Sequence, residues 1–542
     1  MWDKLPLLSL LLASPLLGVL FLAVAPKGNG RLLQRMGMAT SFLPLLFAGT
    51  AYVHYQGVVG TLQLAERYPW IRIPLERELL GASTYTLTFD YHLAADGLSL
   101  PLVFLTALVF AMASLASRQI KKRWKLFYIQ LLLLETAVIG LLLARDLALF
   151  LLFLAFALVP MYFLVGIWGG ADREKAASRF LVTAGMGVAL IATAFLILIG
   201  TAGFTVEEST MAFRYSGDLD TIRMNLFTNP AAYVNYVDNP FTMTTGMRVS
   251  LFGLLVAGFG LLLPIVPFHR AAVRVQAEAA SCISMIHSAV WMTMGAYGLL
   301  RFAFVLFPEQ AKAAASSLAV LGLIGFLYGA LVALAQRELR SFLAYANVSQ
   351  MSLVLLGLTT FSTEGWTGAV LLLVSHGLIS ALLFLLIGSW GERAGSTELV
   401  RLAGLGSAYP FLTGVLLFAS FAFAGLPGLA GFPGQLLIFI GIAKSHRGVA
   451  AAAVIGILLL AAVMLRTIQG LLFQKPREEH RGQGAGGGSR GDAALWEAVP
   501  IIVLTTLILL VGIYPGIVSQ HVEKTIAGFT AHIQSSVEKG GD

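Results

Sequence analysis

Charge is what this sequence has least of. Asp, Glu, Lys and Arg make up 12% of its 542 residues, about half the ~25% of an ordinary soluble domain. So sparse a supply cannot cover a water-facing surface. With 58% hydrophobic residues, it excludes a soluble enzyme and a disordered chain alike. Cysteine is nearly absent. Cys282 stands alone in an apolar run, which excludes a disulfide within the chain, a secreted disulfide scaffold and a cysteine-ligated iron–sulfur centre. No His/Cys spacing suggests zinc. There is no phosphate-binding loop, so this is not an ATP-driven pump, and no dinucleotide fingerprint, so NADH would react on another subunit. The net charge of +8 comes from positives scattered singly between apolar runs. That reads as membrane topology rather than nucleic-acid binding.

What is abundant is long apolar runs. A helix needs about 20 apolar residues to cross a bilayer, and about fourteen such runs can be read. They lie near 6–25, 36–55, 97–116, 126–144, 147–167, 180–203, 249–268, 280–302, 315–335, 342–360, 367–389, 409–441, 449–473 and 497–517. Backbone groups in lipid must pair internally, so runs of this length read as helices. The first run carries Asp3 and Lys4 and no small-residue cleavage site, which favours a retained span over a cleaved signal peptide.

Alternate loops differ in sign. One set holds Lys27, Arg31 and Arg35, the group Arg118 to Lys125, and Arg173, Lys175 and Arg179. It continues with Arg270, Arg274, Arg337, Arg340, Arg393, Arg401, Lys475, Arg477, Arg481 and Arg490, and so holds most of the 36 positives. By the positive-inside rule that set is cytoplasmic, and both termini face outward. Of the outer loops, 56–95 and 204–248 are long. The second, with Glu207, Glu208, Asp218, Asp220 and Asp238, reads as a folded cap or partner contact. The Gly/Ser-rich stretch Gln483–Asp492 reads as an inner linker.

Two spans carry breakers at mid-depth: Pro264 and Pro267 in the seventh, Pro427 and Pro433 in the twelfth. Proline removes a backbone donor, and the glycines of GLPGLAGFPG tolerate non-helical backbone. Broken helices five spans apart are what an inverted-repeat transporter shows, although a proline kink alone is common in membrane helices. The expected class is therefore an all-α polytopic membrane protein with two inverted five-helix repeats, helices 4–8 and 9–13, in which helices 7 and 12 are broken. The divisions are 1–116 for helices 1–3, 117–302 and 303–473 for the repeats, and 474–542 for linker, helix 14 and outer tail.

The segments LVPMYFLVGIWGG (158–170), PIVPFHR (264–270), MGAYGLLR (294–301), ALAQRELRSFLAYANVSQM (333–351), SHGLISALLFLLIG (375–388) and LWEAVPIIVLTTLILLVGIYPG (495–516) run in one order. Together they resemble the antiporter-like membrane subunits of respiratory complex I, nearest the M type, in the superfamily shared with cation/proton antiporters and membrane hydrogenases. The chain ends soon after helix fourteen without the lateral helix of the L type, which favours M. The resemblance implies proton movement along a polar axis at mid-membrane. NADH, FMN, iron–sulfur clusters and quinone are then expected on partner subunits, with no cofactor and no metal in this chain. The partners would be other membrane subunits and the lipid bilayer of a bacterial inner membrane. As a subunit it would belong to an oxidoreductase while carrying no redox site of its own.

The sequence departs from that family where the family carries charge. The fifth-helix glutamate position is Ala155, the seventh-helix lysine is Leu262, the eighth-helix lysine is Thr293 and the twelfth-helix charge is Gln435. Gln350 stands where a histidine often follows the span-ten motif. Ionisable residues inside a span remain functional candidates by default. Glu135 matches a fourth-helix glutamate and is either an axis residue or a protonated structural carboxyl. His376 and His287 are candidate relays or packing histidines, since imidazole passes protons between its two nitrogens. His269, Arg270, Arg274 and Glu278 read as a cluster through which protons enter, or as topology signals and headgroup contacts. Glu338 and Arg340 read as an inner-face charged pair or a solvated helix end. Arg145 and Asp146 suggest a salt bridge or interface anchor at the outer end. Arg466 would snorkel or pair with a partner's carboxylate.

Three functions stay open: a proton-translocating subunit of a complex I-type NADH–quinone oxidoreductase, a structural subunit of such a complex that has lost its own pump, or a partner in a cation antiporter, hydrogenase or inorganic-carbon uptake system.

Overall fold

The computed structural model describes residues 6–26, 30–55, 62–75, 85–207, 212–229, 232–235, 242–404, 406, 408–473 and 492–539. Most of the Gly/Ser-rich linker lies outside them. Among the described residues thirteen helices are long and apolar enough to cross a membrane. In chain order, spans 1 to 6 are Leu7–Val24, Gly30–His54, Ser99–Ala116, Trp124–Leu143, Leu147–Trp168 and Arg173–Gly200. Span 7 is Thr245–Leu262, and spans 8 to 11 are Ser281–Phe304, Pro308–Leu334, Leu339–Leu358 and Thr363–Ala394. Spans 13 and 14 are Arg447–Leu472 and Leu495–Ile513. The twelfth position is two half-helices, Pro410–Ala424 and Gly431–Ser445. The chain is an integral membrane protein, and the fourteen-helix reading holds with the broken twelfth counted as one.

Both breaks fall where proline and glycine stand. Span 7 ends at Leu262, and a second half-helix, Arg270–Glu278, follows Pro264 and Pro267. In the twelfth, Gly425 adopts φ +82° at the end of the first half. A β-carbon there would collide with Gln435 Oε1, so only glycine fits the turn. Pro433 sits in the first turn of the second half, where its missing N–H costs nothing.

The most apolar windows of spans 8 and 11 are entirely buried, against 28% in spans 2 and 13. These two helices form the centre of the bundle, and they carry His287 and His376. Span 8 is irregular: His287–Trp291 and Leu299–Phe304 are π-helical turns, a distortion frequent at functional sites.

The two long loops on one side build a sheet, the chief addition to the all-helical expectation. Strands β1 (Gln63–Leu75), β2 (Tyr85–Ala95), β3 (Phe204–Glu207) and β4 (Ala212–Ser216) pair in the order β1-β2-β4-β3. Only β2 and β4 run parallel. The helix Leu219–Phe227 follows β4, so the described part of loop 204–248 is folded. The sheet is tied to the bundle: Glu66 of β1 accepts from the Leu8 and Ser9 N–H groups at the start of span 1, at 2.7 and 3.1 Å. On the opposite side, Lys125 donates to the Ala23 and Ala25 carbonyls past the end of span 1. The C-terminal tail is a further helix, Gly516–Lys539. It packs along span 11 on the sheet side, where Tyr52 Oη donates to the Ile517 carbonyl at 2.6 Å.

Candidate functional site

The breaks and the two central helices place a string of polar groups at mid-depth. Gln276, on the half-helix after the first break, is fully buried. Its Nε2 lies 3.4 Å from Nδ1 of His287, and its Oε1 accepts from Asn347 Nδ2 of span 10 at 2.8 Å. Asn347 Nδ2 also donates to Ser380 Oγ of span 11 at 3.1 Å. One helical turn earlier on span 11 lies His376, its ring 5.9 Å from that of Phe423 at the end of the first half of span 12. The Phe423 carbonyl is among the last of its half-helix, which lack intrahelical donors. It accepts from Gln350 Nε2 at 3.0 Å and from Gln435 Nε2 at 3.4 Å. The string thus runs from span 8 and the half-helix after the first break to spans 10 and 11, with His376 a turn away beside the second break.

Several buried polar groups, in the string and on span 4, keep hydrogen-bonding capacity that no protein group uses. Both carboxylate oxygens of Glu135, both nitrogens of His376, Ser375 Oγ, Asn347 Oδ1, and Oε1 of Gln350 and Gln435 are buried without a protein partner. Buried polar groups are normally satisfied by protein or by ordered water, so this pattern marks a line suited to hydration.

The neutral positions separate into two kinds. Gln350, Gln435 and Thr293 are buried and bonded to backbone, Thr293 Oγ1 to the Val290 carbonyl at 2.7 Å. Leu262 is buried, whereas Ala155 lies exposed on the flank of span 5 beside Leu152, Phe156 and Val159.

Two expected groupings do not form. His269 and Glu278 sit at opposite ends of the half-helix rather than in one cluster. The His269 ring packs against Tyr328 and Tyr345, while Glu278 Oε2 accepts from the Asp172 N–H at 3.1 Å. A nine-residue helix separates them by its own length. Glu338 and Arg340 remain close enough for their charges to interact but form no direct ion pair. Glu338 accepts from Thr397 and Ser341, and Arg340 donates to the Ala279 carbonyl at 2.9 Å and to Ser281 Oγ at 3.1 Å. Arg340 thereby serves the carbonyl end of the broken-span half-helix, a favourable place for a cation. The span-7 prolines Pro264 and Pro267 and the span-12 prolines Pro427 and Pro433 lie at the breaks, as read.

The sheet side holds an ion-pair centre that the sequence reading found only in part. Arg145 and Arg301 both approach Asp96 Oδ2, at 2.9 and 2.6 Å. Asp96 Oδ1 accepts from the Leu98 and Ser99 N–H groups at the start of span 3. Arg301 Nε donates to Tyr297 Oη at 3.2 Å, and Tyr297 donates to the Leu142 carbonyl at 3.0 Å. Burial pushes the Asp96 carboxyl up, but Arg301 and Arg145 outweigh it and hold it well below the usual carboxylate range. Asp146 instead caps span 5, accepting from Ala148 and Leu149 N–H. Nearby, His92, Asp218 and Asp220 offer ligand atoms within 4.8 Å of one another. Asp218 is already engaged by His92 at 2.8 Å, by Thr221 and by Arg67, so the group reads as a salt-bridge network rather than a metal centre.

Gln276, Asn347 and Ser380 escaped the sequence reading because they are neutral. Their signal was a polar side chain with no charge to announce it, inside an apolar run. Asp96 and Arg301 escaped because their partners are far apart in the chain.

Comparison with known proteins follows the geometry. Residues 144–460 match the family model described as NADH:quinone oxidoreductase/Mrp antiporter, transmembrane. The chain is 32% identical over 538 residues to NAD(P)H-quinone oxidoreductase chain 4 2 of Thermosynechococcus vestitus, covering 98% of this chain and 93% of that one. It is 31% identical over 548 residues to a chain 4 of a Synechococcus species, covering 98% and 94%. Among solved structures it superposes on a chain of respiratory complex I from Thermus thermophilus with bound NADH, at TM-score 0.77 and 25% identity, over 96% of this chain and 99% of that one. A chain of the Mrp complex from Dietzia matches in fold at TM-score 0.77 and 19% identity, over 98% and 99%.

Proposed function

The chain belongs to the NADH:quinone oxidoreductase/Mrp antiporter transmembrane family, and on that premise we propose that it is a membrane subunit of a complex I-type NADH–quinone oxidoreductase, in the module that couples electron transport to proton movement. The observation that carries the reading is the buried polar string from His287 through Gln276, Asn347 and Ser380 to His376 and the Phe423 carbonyl. Charge at this depth is costly, and polar groups there mark ion pathways. His287 and His376 are the groups in it able to take up and release a proton, and Glu135, buried on span 4 without a protein partner, is a third candidate apart from the hydrogen-bonded string. The amides between them orient water and hold the helices. Protons reach the string past Glu278, at the end of the half-helix that carries Gln276.

The redox chemistry belongs to partner subunits, which hold NADH, FMN, iron–sulfur clusters and quinone; the one thiol here, Cys282, is buried. The chain lies in a bacterial inner membrane. The sheet side faces outward with both termini, because the loops rich in Lys and Arg lie on the opposite side. The domain divisions follow the two breaks, with 117–302 and 303–473 as the inverted repeats.

A second reading is favoured by four side chains. Ala155, Leu262, Thr293 and Gln435 hold no proton, so the chain would then serve as a structural subunit. One experiment separates the two. Glu135→Gln and His376→Ala are introduced separately into the native complex, and protons translocated per electron are measured in sealed vesicles. A fall in either variant with electron transfer retained supports the first reading. An unchanged ratio in both leaves the structural role.

A further inference from the structure

The side opposite the sheet gathers cations in one corner. Spans 3 and 4 are joined there by a short turn that carries Arg118, Lys121, Lys122 and Arg123, all exposed. Arg31 and Arg35, one helical turn apart at the start of span 2, are exposed as well. The three elements meet. A β-carbon on Gly30 would collide with the Trp124 ring, and Lys125 of span 4 donates to the carbonyls of Ala23 and Ala25 at the end of span 1. Two indoles fix the turn: Trp124 donates to the Ile120 carbonyl, and Trp168 to that of Lys122 at 2.9 Å.

No carboxylate among the described residues forms an ion pair with any of these exposed cations. The sequence has no Asp or Glu between Lys27 and Glu66, and none between Asp96 and Glu135. The neighbouring turn between spans 5 and 6 is itself basic, with Arg173, Lys175 and Arg179 against Asp172 and Glu174. Its Asp172 is taken by Lys175 at 2.9 Å. Residues 474–491 lie outside the described residues, and they too are basic in sequence, with Lys475, Arg477, Arg481 and Arg490 against Glu478 and Glu479.

An apolar flank leads up to the same corner. Leu17, Leu20, Phe21 and Val24 follow one another at i, i+3, i+4 and i+7 along the last two turns of span 1, which puts them on one face. They are 48%, 62%, 59% and 87% exposed. In a bilayer such a face meets hydrocarbon.

We propose that this corner binds an anionic phospholipid. Its phosphate sits among Arg31, Arg35, Lys121 and Lys122, and an acyl chain runs along Leu17 to Val24. Clusters of Lys and Arg at the end of a span attract anionic headgroups, and guanidinium forks match phosphate oxygens in geometry. Trp124 and Trp168 belong at the depth where indoles anchor a membrane protein. A topology signal requires positive charge on this side, but not its convergence on an exposed apolar flank. An acidic protein surface would use the cations and leave the flank uncovered. The site does not depend on whether protons move through the chain.

The test uses the full chain, purified with its associated subunits in detergent and offered equal amounts of phosphatidylglycerol and phosphatidylcholine. Bound lipid is counted by mass spectrometry. The unmodified protein should hold phosphatidylglycerol about fivefold or more over phosphatidylcholine at low salt, and the preference should shrink as ionic strength rises. Arg31→Gln, Arg35→Gln, Lys121→Gln and Lys122→Gln together should bring the two lipids near parity. Arg173→Gln with Lys175→Gln, on the neighbouring turn, should leave the preference within about twofold of the parent. The quadruple variant also weakens the topology signal, so Val24→Glu serves beside it. That change keeps every cation, sets a carboxylate where the chain meets the phosphate, and should lower the preference likewise. Should the quadruple variant misfold, Val24→Glu and the salt series carry the test. The proposal is overturned by a preference that is absent from the unmodified protein, that survives the Gln and Glu variants, or that falls as far in the neighbouring-turn control. It is also overturned if the preference appears only once the associated subunits are removed, which would assign the corner to an acidic partner protein.

Discussion

Asp96 meets Arg301 at 2.6 Å across more than two hundred residues of chain, and the same oxygen takes Arg145 at 2.9 Å. One carboxylate therefore serves as the shared counter-charge of two buried guanidiniums where spans 3, 4 and 8 come together. Arg301 also stands over the rings of Tyr297 and Phe529, the latter from the C-terminal helix, at 5.2 and 5.7 Å. Replacing Asp96 by Asn leaves two cations without a counter-charge, and breaking a buried pair this way costs roughly 3–5 kcal/mol. The variant should melt well below the parent in detergent, and Asp96→Asn combined with Arg301→Met should recover part of the loss. Because the folded carboxyl is held below its ordinary value, its contribution is present above the unfolded pKa of about 3.9. It is lost only as pH falls through the lower folded value. The melting difference between Asp96→Asn and parent should therefore stay constant from pH 5 to 8.

The glutamines at the second break answer to one carbonyl. Gln350 donates to the Phe423 carbonyl at 3.0 Å and Gln435 at 3.4 Å. Gln350→Leu should cost about 0.5–1.5 kcal/mol, the range for one lost hydrogen bond, and Gln435→Leu less, its bond being longer. The double variant should cost more than the two singles summed, because each glutamine covers for the other. Chemical or thermal unfolding of the four proteins closes the cycle. Strict additivity would show that the carbonyl finds water instead.

How far this was legible follows from which signals are local. The spans could be read because twenty apolar residues in a row have one answer in a bilayer, and the breaks because proline cannot donate. The β2 strand was also legible in principle: Tyr85 to His92 alternates large apolar or aromatic side chains with polar ones, the strand signature. Pro69 and Pro74 disguise its partner β1. The polar string was only half legible. His287 and His376 stand out as titratable groups in apolar runs. Gln276 and Asn347 matter through each other, at 2.8 Å in space and far apart in sequence. The π-helical turns of span 8 leave no periodic trace at all, since a single wide turn shifts the pattern without breaking it.

Asp146 gives a stability profile of the opposite sign to Asp96. Burial pushes its carboxyl up to about 6, against the pull of the Asp90, Leu149 and Ala148 N–H groups. A folded pKa raised above the unfolded value contributes stability in full below about pH 4, and that contribution is lost as pH rises through about 6. Asp146→Asn keeps an acceptor for the start of span 5 and removes the titration. The variant should gain on the parent between pH 4 and 6.5, by up to roughly 3 kcal/mol, and hold that gain above. Melting curves of the two proteins at half-unit pH steps show it directly. A flat difference would mean that Asp146 is not desolvated.

Asn347 is the joint of the buried polar string. Its one amide nitrogen bonds Gln276 at 2.8 Å and Ser380 at 3.1 Å, so it links the first break to the central span 11. Asn347→Leu removes both bonds and strands Gln276 Oε1, a loss of about 2–4 kcal/mol by the sum of two ordinary bonds and one orphaned acceptor. Ser380→Ala removes one bond and should cost about 1 kcal/mol. Stability alone would follow from any buried network, so the deciding measurement is coupling. In the native complex the Leu variant should lower protons translocated per electron by half or more, while the electron-transfer rate of the complex falls less. Ser380→Ala should leave the ratio within about a fifth of the parent, because Asn347 still holds Gln276 and water can take the hydroxyl's place. If the Leu variant melts earlier yet pumps at the parental ratio, the string holds helices together and carries no protons.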